Sequence, residues 1–262
     1  MTIETAAAPG AARVLVVVPT YNERGTLPEL LSGITAHDRF DVLVVDDASP
    51  DGTGAIADAW AARMPGRVDV LHREGARGLG RAYADGLARA LERGAPVIVQ
   101  MDADLSHDPQ YLPDLVEALD GADLAIGSRY LNGISVVNWP LRRIALSTFA
   151  NRYIRAVTGL TARDCTSGYR CWRRETLARV PLTGLASNGY AFLTEMLFHA
   201  AKNGARIVER PIVFVERREG VSKLDGRVLA ESVLTPLRLA ASRGRIRNAQ
   251  ARASSKFPGG RT

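Results

Sequence analysis

Five short apolar runs, rich in β-branched residues and separated by stretches of helical periodicity, constrain this fold more than any other feature of the chain. The runs are RVLVVVP (13–19), FDVLVVDD (40–47), RVDVLHR (67–73), APVIVQMDAD (95–104) and ADLAIGSRY (122–130). Between them lie TLPELLSGITA, GTGAIADAWAARM, GLGRAYADGLARALERG and QYLPDLVEAL, each with helical spacing of its apolar residues. A strand apolar on both faces must be covered on both faces, which indicates an α/β fold with a mostly parallel sheet flanked by helices. Loops at the carboxyl ends of such strands carry function. The polar residues obey that rule: PTYNE closes the first run, DDASPDGT the second, DADLSH the fourth and GSRY the fifth.

The second half is less regular. WPLRRIALSTFANRYIRAVTGL (139–160) reads as a long helix of mixed apolar and basic character, and DCTSGYRCWRRETL as a loop with a short strand. GYAFLTEMLFHAAKNG (189–204) is a helix ended by glycine, and ARIVERPIVFVERREGVSK a strand entering a basic loop. No repeat or linker divides the chain. It reads as a disordered lead-in over 1–12, a single domain over 13–240 and a basic flexible tail over 241–262.

The acids of QMDADLSHDP pose the chemical question. Carboxylates resist burial, and neighbouring negative charges raise each other's cost, so solvent or a cation must relieve Asp102 and Asp104. If the strand extends through residue 104, the two point the same way. Paired hard oxygens suit Mg²⁺ or Mn²⁺, with phosphates and water completing the shell; the bland reading is a capped turn with two solvated aspartates. Asp108 and Pro109 supply an N-cap and first-turn proline. After the second run, Asp46 or Asp47 is placed to accept from a nucleobase or ribose, with an Asx turn as the alternative. Tyr21 offers a stacking face and Glu23 an acceptor. Arg129, Arg142, Arg143, Arg217 and Lys223 are separated cations suited to a diphosphate and a second anion. ARGLG (76–80) lacks the third glycine and lysine of a phosphate loop and reads as a turn.

Charge and length exclude other classes. The chain has 262 residues and a net charge of +6. Residues 238–262 hold six arginines, one lysine and no acid, a charge of +7, so the other 237 residues sum to −1. The basic excess therefore sits in the tail, against a nucleic-acid-binding body. No run reaches the ~18 apolar residues of a membrane span. The start, MTIETAAAPGAA, has neither the basic end nor the apolar core of a secretory signal. Cys165 and Cys171 lack metal-type spacing and suit a reducing, cytoplasmic setting.

The ordered set PTYNE, VVDDASPDGT, DADLSHDP, GSRY, DCTSGYR, GYAFLTEM and ERREGVSK resembles family 2 glycosyltransferases, and more narrowly the polyprenol- and dolichol-phosphate mannosyltransferases. The resemblance covers residues 13–240. It implies a GT-A, Rossmann-like fold, a GDP-mannose donor, Mg²⁺ or Mn²⁺, and a polyprenyl phosphate acceptor at a membrane surface. On matching positions it implies that Pro19, Tyr21, Glu23, Val45 and Asp47 hold the guanosine portion, that Asp102 and Asp104 take metal and diphosphate, and that Ala103 lines the donor site. Arg129, Arg217 and Lys223 would meet phosphates, and Arg129, Arg143 and Ser147 the acceptor phosphate. Ser106 stands where many relatives carry a glutamine that contacts the metal. It is a further candidate ligand, directly or through water.

A phosphate monoester is already largely anionic at neutral pH, so the acceptor needs orientation more than deprotonation. No dedicated base is expected, and Glu195 is assigned to positioning a cation or the sugar. A peripheral attachment to the cytoplasmic side of the membrane is expected, through amphipathic segments 139–160 and VLTPLRLAASRGRIR, with a membrane-protein anchor as a candidate partner. The rival within the class is a UDP-glucose-dependent polyprenyl-phosphate glucosyltransferase.

Overall fold

The computed structural model describes residues 13–185, 191–216 and 226–241. Arg217, Lys223, the lead-in and the tail from residue 242 lie outside the described residues.

The apolar runs form strands because most of their side chains have a covered side to enter, edge strand β3 least so. The strands are β1 (Val14–Thr20), β2 (Phe40–Asp46), β3 (Val68–His72), β4 (Val97–Gln100) and β5 (Leu124–Ser128). Between and after them come α1 (Leu27–Thr35), α2 (Thr53–Arg63), α3 (Leu79–Glu92) and α4 (Leu112–Glu117). The second half supplies β6 (Val136–Val137), α5 (Leu141–Thr158), β7 (Arg170–Arg173), α6 (Arg174–Leu177), α7 (Ala191–Lys202), β8 (Ile207–Pro211), β9 (Phe214–Val215) and α8 (Gly226–Ala241). The main sheet has the order β3-β2-β1-β4-β7-β5-β8, parallel except for β7, which runs antiparallel to both β4 and β5. Strands β6 and β9 pair separately, in parallel.

Alternate residues on β1 divide the interior into two layers. Val14, Val16 and Val18 join the core under α1, α2 and α4, with Leu30, Ala57 and Leu115. Leu15 and Val17 join the core under α3, α5 and α7, with Leu87, Ile154 and Phe192. Helix α3 lies very close to the sheet, because a Cβ on Gly86 would come within 2.6 Å of both Val17 and Val45. Only glycine fits that crossing without moving the sheet or the helix.

Register creates the notch that holds the site. Strand β1 pairs with β2 as far as Thr20↔Asp46, but with β4 only as far as Val17↔Gln100. Strand β4 therefore stops three residues short of β1, and the last contact is Met101 N–H to Val17 C=O at 3.2 Å. The expectation that the strand continues to residue 104 is corrected here. Asp102 and Asp104 stand on a loop, and Leu105 within it has φ of 62°. The expected helix over 110–119 is likewise broken, into a 3-10 turn (Pro109–Tyr111), α4 and a second 3-10 turn (Ala118–Asp120). The Asp108 carboxylate does cap the first turn, accepting from Gln110 N–H at 2.9 Å.

Candidate active site

Three loops after parallel strands of the main sheet contain a non-glycine residue with left-handed backbone: Asn22 after β1, Ala48 after β2 and Leu105 after β4. Alanine and leucine pay about 1 kcal/mol or more for that conformation, and such strain gathers where a loop must present particular atoms.

In the loop after β4, each aspartate has one oxygen fixed by a protein donor. The Tyr83 hydroxyl, from α3, donates to Asp102 Oδ1 at 2.6 Å. The Asp102 N–H donates to His107 Nδ1 at 3.0 Å. With Nδ1 accepting, the neutral His107 ring carries its proton on Nε2, which lies 3.9 Å from Asp102 Oδ2. Burial pushes the His107 pKa down, against the opposing charges of Asp102 and Asp104, so the ring is uncharged. Burial, with the neighbouring Asp102 charge, pushes the Tyr83 phenol well above its usual range and keeps it a donor. Asp104 Oδ1 accepts from Ser106 N–H at 3.1 Å and from the Ser106 hydroxyl at 2.5 Å. Ser106 is itself buried and directed at Asp104. Ala103, between the aspartates, is buried.

Antiparallel β7 brings Gly168 to the same edge. A Cβ there would stand 3.4 Å and 3.5 Å from the two Asp102 carboxylate oxygens, so glycine sets no side chain against that carboxylate. No group of three or more His, Cys, Asp or Glu able to hold a metal occurs among the described residues. Two carboxylates are nevertheless a fitting donor set for Mg²⁺ or Mn²⁺, ions that take the rest of their shell from phosphate and water.

The loop after β2 lies alongside. Pro19 and Val45 are cross-strand partners at the ends of β1 and β2, both buried. Asp46 Oδ2 accepts from Ser49 N–H, three residues on, at 3.4 Å. Asp47 is held by an ion pair with Arg73 and by Gly78 N–H at 2.8 Å. Arg77 lies 4.9 Å from the centre of the Tyr21 ring and donates to its hydroxyl at 2.9 Å, so a guanidinium covers one of the ring faces expected to stack. Glu23 accepts from the Thr26 hydroxyl at 2.8 Å.

The predicted anion ligands have partners that sequence reasoning did not supply. Arg129 is 8% exposed and makes a bidentate pair with fully buried Asp164, 2.7 Å in each arm. Its Nη2 also reaches the Thr166 hydroxyl at 2.8 Å. Nη1 is the one nitrogen of that guanidinium with no described hydrogen bond. Arg143 is ion-paired with Glu216 and lies 4.0 Å over Trp139. Ser147, one helical turn on, accepts from the Tyr130 hydroxyl at 2.7 Å. Arg142 is exposed. Arg170 is fully buried and donates to the carbonyls of Ser167, Leu193 and Cys165, bracing this loop against α7; burial lowers its pKa to about 10. Glu195 on α7 is buried at 7% exposure.

The structure thus brings Asp102, Asp104 and Ser106 into one loop, sets Pro19, Val45 and Asp47 on the same sheet edge, and groups Arg129, Arg143 and Ser147 around Trp139 and Tyr130. Tyr83, His107, Asp164, Gly168 and Glu216 were not foreseen. The last four lie inside the motifs DADLSHDP, DCTSGYR and ERREGVSK, whereas Tyr83 lies outside every motif and left a different trace: it shares the buried face of α3 with Gly80, Gly86, Leu87 and Ala90, and a phenol on such a face needs an acceptor.

Comparison with known proteins places the chain in a family. Residues 15–180 match the family model described as Glycosyl transferase family 2. The chain is 50% identical over 224 residues to polyprenol monophosphomannose synthase of Mycolicibacterium smegmatis, covering 84% of each protein. It is 49% identical over 227 residues to undecaprenyl-phosphate mannosyltransferase of Micrococcus luteus, covering 86% of this chain and 93% of that protein. Dolichol-phosphate mannosyltransferase of Pyrococcus furiosus is 36% identical over 240 residues, covering 89% of this chain and 65% of that protein. In fold, the chain is similar to Mycobacterium tuberculosis glucosyl-3-phosphoglycerate synthase in complex with Mn²⁺, UDP and glucosyl-3-phosphoglycerate. That match has a TM-score of 0.64 at 20% identity and covers 88% of this chain and 81% of the other, a likeness of GT-A architecture alone. The mostly parallel sheet, the acidic loop at its carboxyl edge and the family match agree: the chain belongs to glycosyl transferase family 2.

Proposed function

We propose that this protein transfers mannose from GDP-mannose to a polyprenyl phosphate, inverting the sugar linkage and releasing polyprenyl-phosphate mannose and GDP. The names of the relatives support the mannosyl group and the lipid phosphate. The observation that carries the reading is the loop after β4, where Oδ1 of Asp102 and Oδ1 of Asp104 are each tied to a protein donor and Gly168 sets no side chain against Asp102.

Asp102 and Asp104 are the residues that would hold Mg²⁺ or Mn²⁺, which when bound supplies positive charge to the diphosphate and the departing nucleotide. Ser106 orients Asp104 through its hydroxyl. Asp47, fixed by Arg73 and Gly78, faces the nucleoside with Pro19, Val45, Tyr21 and Glu23. The acceptor phosphate meets Arg143 and Ser147, which are four residues apart and so share a face of α5. An anion reaching Arg129 would do so through Nη1. Arg217 and Lys223 complete the phosphate contacts in this reading. The acceptor oxygen is anionic before it attacks the anomeric carbon, so the site needs no residue to remove a proton.

The lipid tail requires the enzyme to work at a membrane, in this reading on the cytoplasmic side. Among the described residues no helix is long and apolar enough to cross one. Helices α5 and α8 pack together and leave Leu141, Leu146, Phe149, Leu234 and Leu237 exposed, and the β6–β9 pair adds Val137 and Val215. An apolar surface beside the acceptor residues suits peripheral attachment.

Arg143→Ala tests the acceptor assignment. Losing a charge-assisted contact of about 1.5–3 kcal/mol should raise the KM for a short polyprenyl phosphate by ten- to a hundredfold. The donor KM should stay within about twofold of the wild type; an unchanged acceptor KM contradicts the assignment.

A further inference from the structure

Tyr83 belongs to none of the motifs that mark the sheet edge, yet it touches the acid at its centre. The side chain is completely buried on α3 and stacked on Phe192 of α7, with ring centres 5.7 Å apart and planes at 19°. Its ring is seated between a helix held tightly to the sheet at Gly86 and a second helix packed on the same layer. Such a ring has little freedom to turn. Its hydroxyl nevertheless emerges beneath the loop after β4 and donates to Asp102 Oδ1 at 2.6 Å.

That bond divides the two oxygens of Asp102. Oδ1 is engaged by a rigid donor. Oδ2 lies 3.9 Å from His107 Nε2, beyond hydrogen-bond distance, and Gly168 sets no side chain against the carboxylate. If Asp102 turned to another rotamer, the phenol would lose the one acceptor described for it in a buried setting, which is unfavourable. The Asp102 side chain is 27% exposed, so the surrounding protein does not otherwise pack it in place. A donor fixed in the core is what restrains a partly exposed carboxylate. Outer partners of this kind tune the affinity of a metal site without touching the ion.

We propose that Tyr83 is a positioning residue for the divalent cation: its hydroxyl fixes Asp102 so that Oδ2 is the oxygen left to ligate. This rests on the reading of Asp102 and Asp104 as the metal ligands. Tyr83→Phe keeps the ring and its stacking on Phe192 and removes only the donor.

The test is Mn²⁺ binding followed by electron paramagnetic resonance in the presence of GDP, on the wild type, Tyr83→Phe and Asp104→Ala. Asp104→Ala is the control because it removes a ligand without altering the partner of Tyr83. Tyr83→Phe should weaken Mn²⁺ binding by about ten- to a hundredfold. It should leave the thermal midpoint in EDTA within a few degrees of the wild type, and saturating Mn²⁺ should restore kcat. A merely structural bond would move the midpoint and leave Mn²⁺ affinity alone. Mn²⁺ affinity within threefold of the wild type, with Asp104→Ala impaired, overturns the role of Tyr83 and leaves the metal site standing. Normal Mn²⁺ binding by Asp104→Ala overturns both. Should Tyr83→Phe not fold, Phe192→Leu loosens the ring while keeping the hydroxyl; it must weaken Mn²⁺ binding by threefold or more, and unchanged affinity overturns the proposal.

Discussion

A guanidinium with 8% exposure needs its charge answered inside the protein, and Asp164 answers that of Arg129 through two arms of 2.7 Å. Burial alone would raise the Asp164 carboxyl, but the charge and hydrogen bonds of Arg129 outweigh it and hold the group below the ordinary carboxylate range. Breaking a buried pair by removing one partner costs about 3–5 kcal/mol, because the other charge is left alone. Asp164→Asn should therefore lose that much stability in urea unfolding at pH 7. A depressed carboxyl stabilises the fold above its unfolded pKa, about 3.9, and the benefit fades as pH falls through the lower folded value. The gap between wild type and Asp164→Asn should be full at pH 7 and narrow only below about pH 4; a gap already closing at pH 6 would contradict the pairing. At this scale, legibility depends on separation along the chain. Asp102, Asp104 and Ser106 could be read because they are neighbours following an apolar run. Arg129 and Asp164 are 35 residues apart, and no periodicity announces that a cation suited to phosphate will meet a buried acid.

Strands with uninterrupted apolar side chains were the legible elements, since burial on two faces leaves few alternatives to a parallel sheet. The carboxyl end of β4 was not, because its pairing with β1 sets where it stops, and register is invisible in one strand alone. Strand β7 is short and enters antiparallel between β4 and β5, a long-range pairing with no local signal. Helix α5 was legible in extent but not in orientation. Its second half buries Asn151, Ile154 and Thr158, whereas Leu141 and Phe149 in the first half are 83% and 68% exposed. Moving such side chains from water into an apolar layer is worth about 1.5–3 kcal/mol each when complete. A double variant, Leu141→Asp with Phe149→Asp, should float with anionic liposomes several-fold less than the wild type. Undiminished flotation would remove α5 from the membrane-facing surface.

Across the whole molecule, the α/β fold and its working edge follow from two constraints. Parallel strands align their carboxyl ends, so loops distant in sequence deliver Asp47, Asp102 and Arg129 to one side. Strand β4 stops early, so the most acidic of those loops enters a notch beside Gly168 and above Tyr83. The central claim is that this edge moves a mannosyl group from a nucleotide to a lipid phosphate. The most direct measurement incubates the protein with labelled GDP-mannose, Mg²⁺ and a short polyprenyl phosphate, then extracts into organic solvent. Label should enter the organic phase with the wild type, and remain aqueous with Asp104→Ala or without the lipid phosphate. Label that stays in water with the intact protein, under Mg²⁺ or Mn²⁺, would contradict the account.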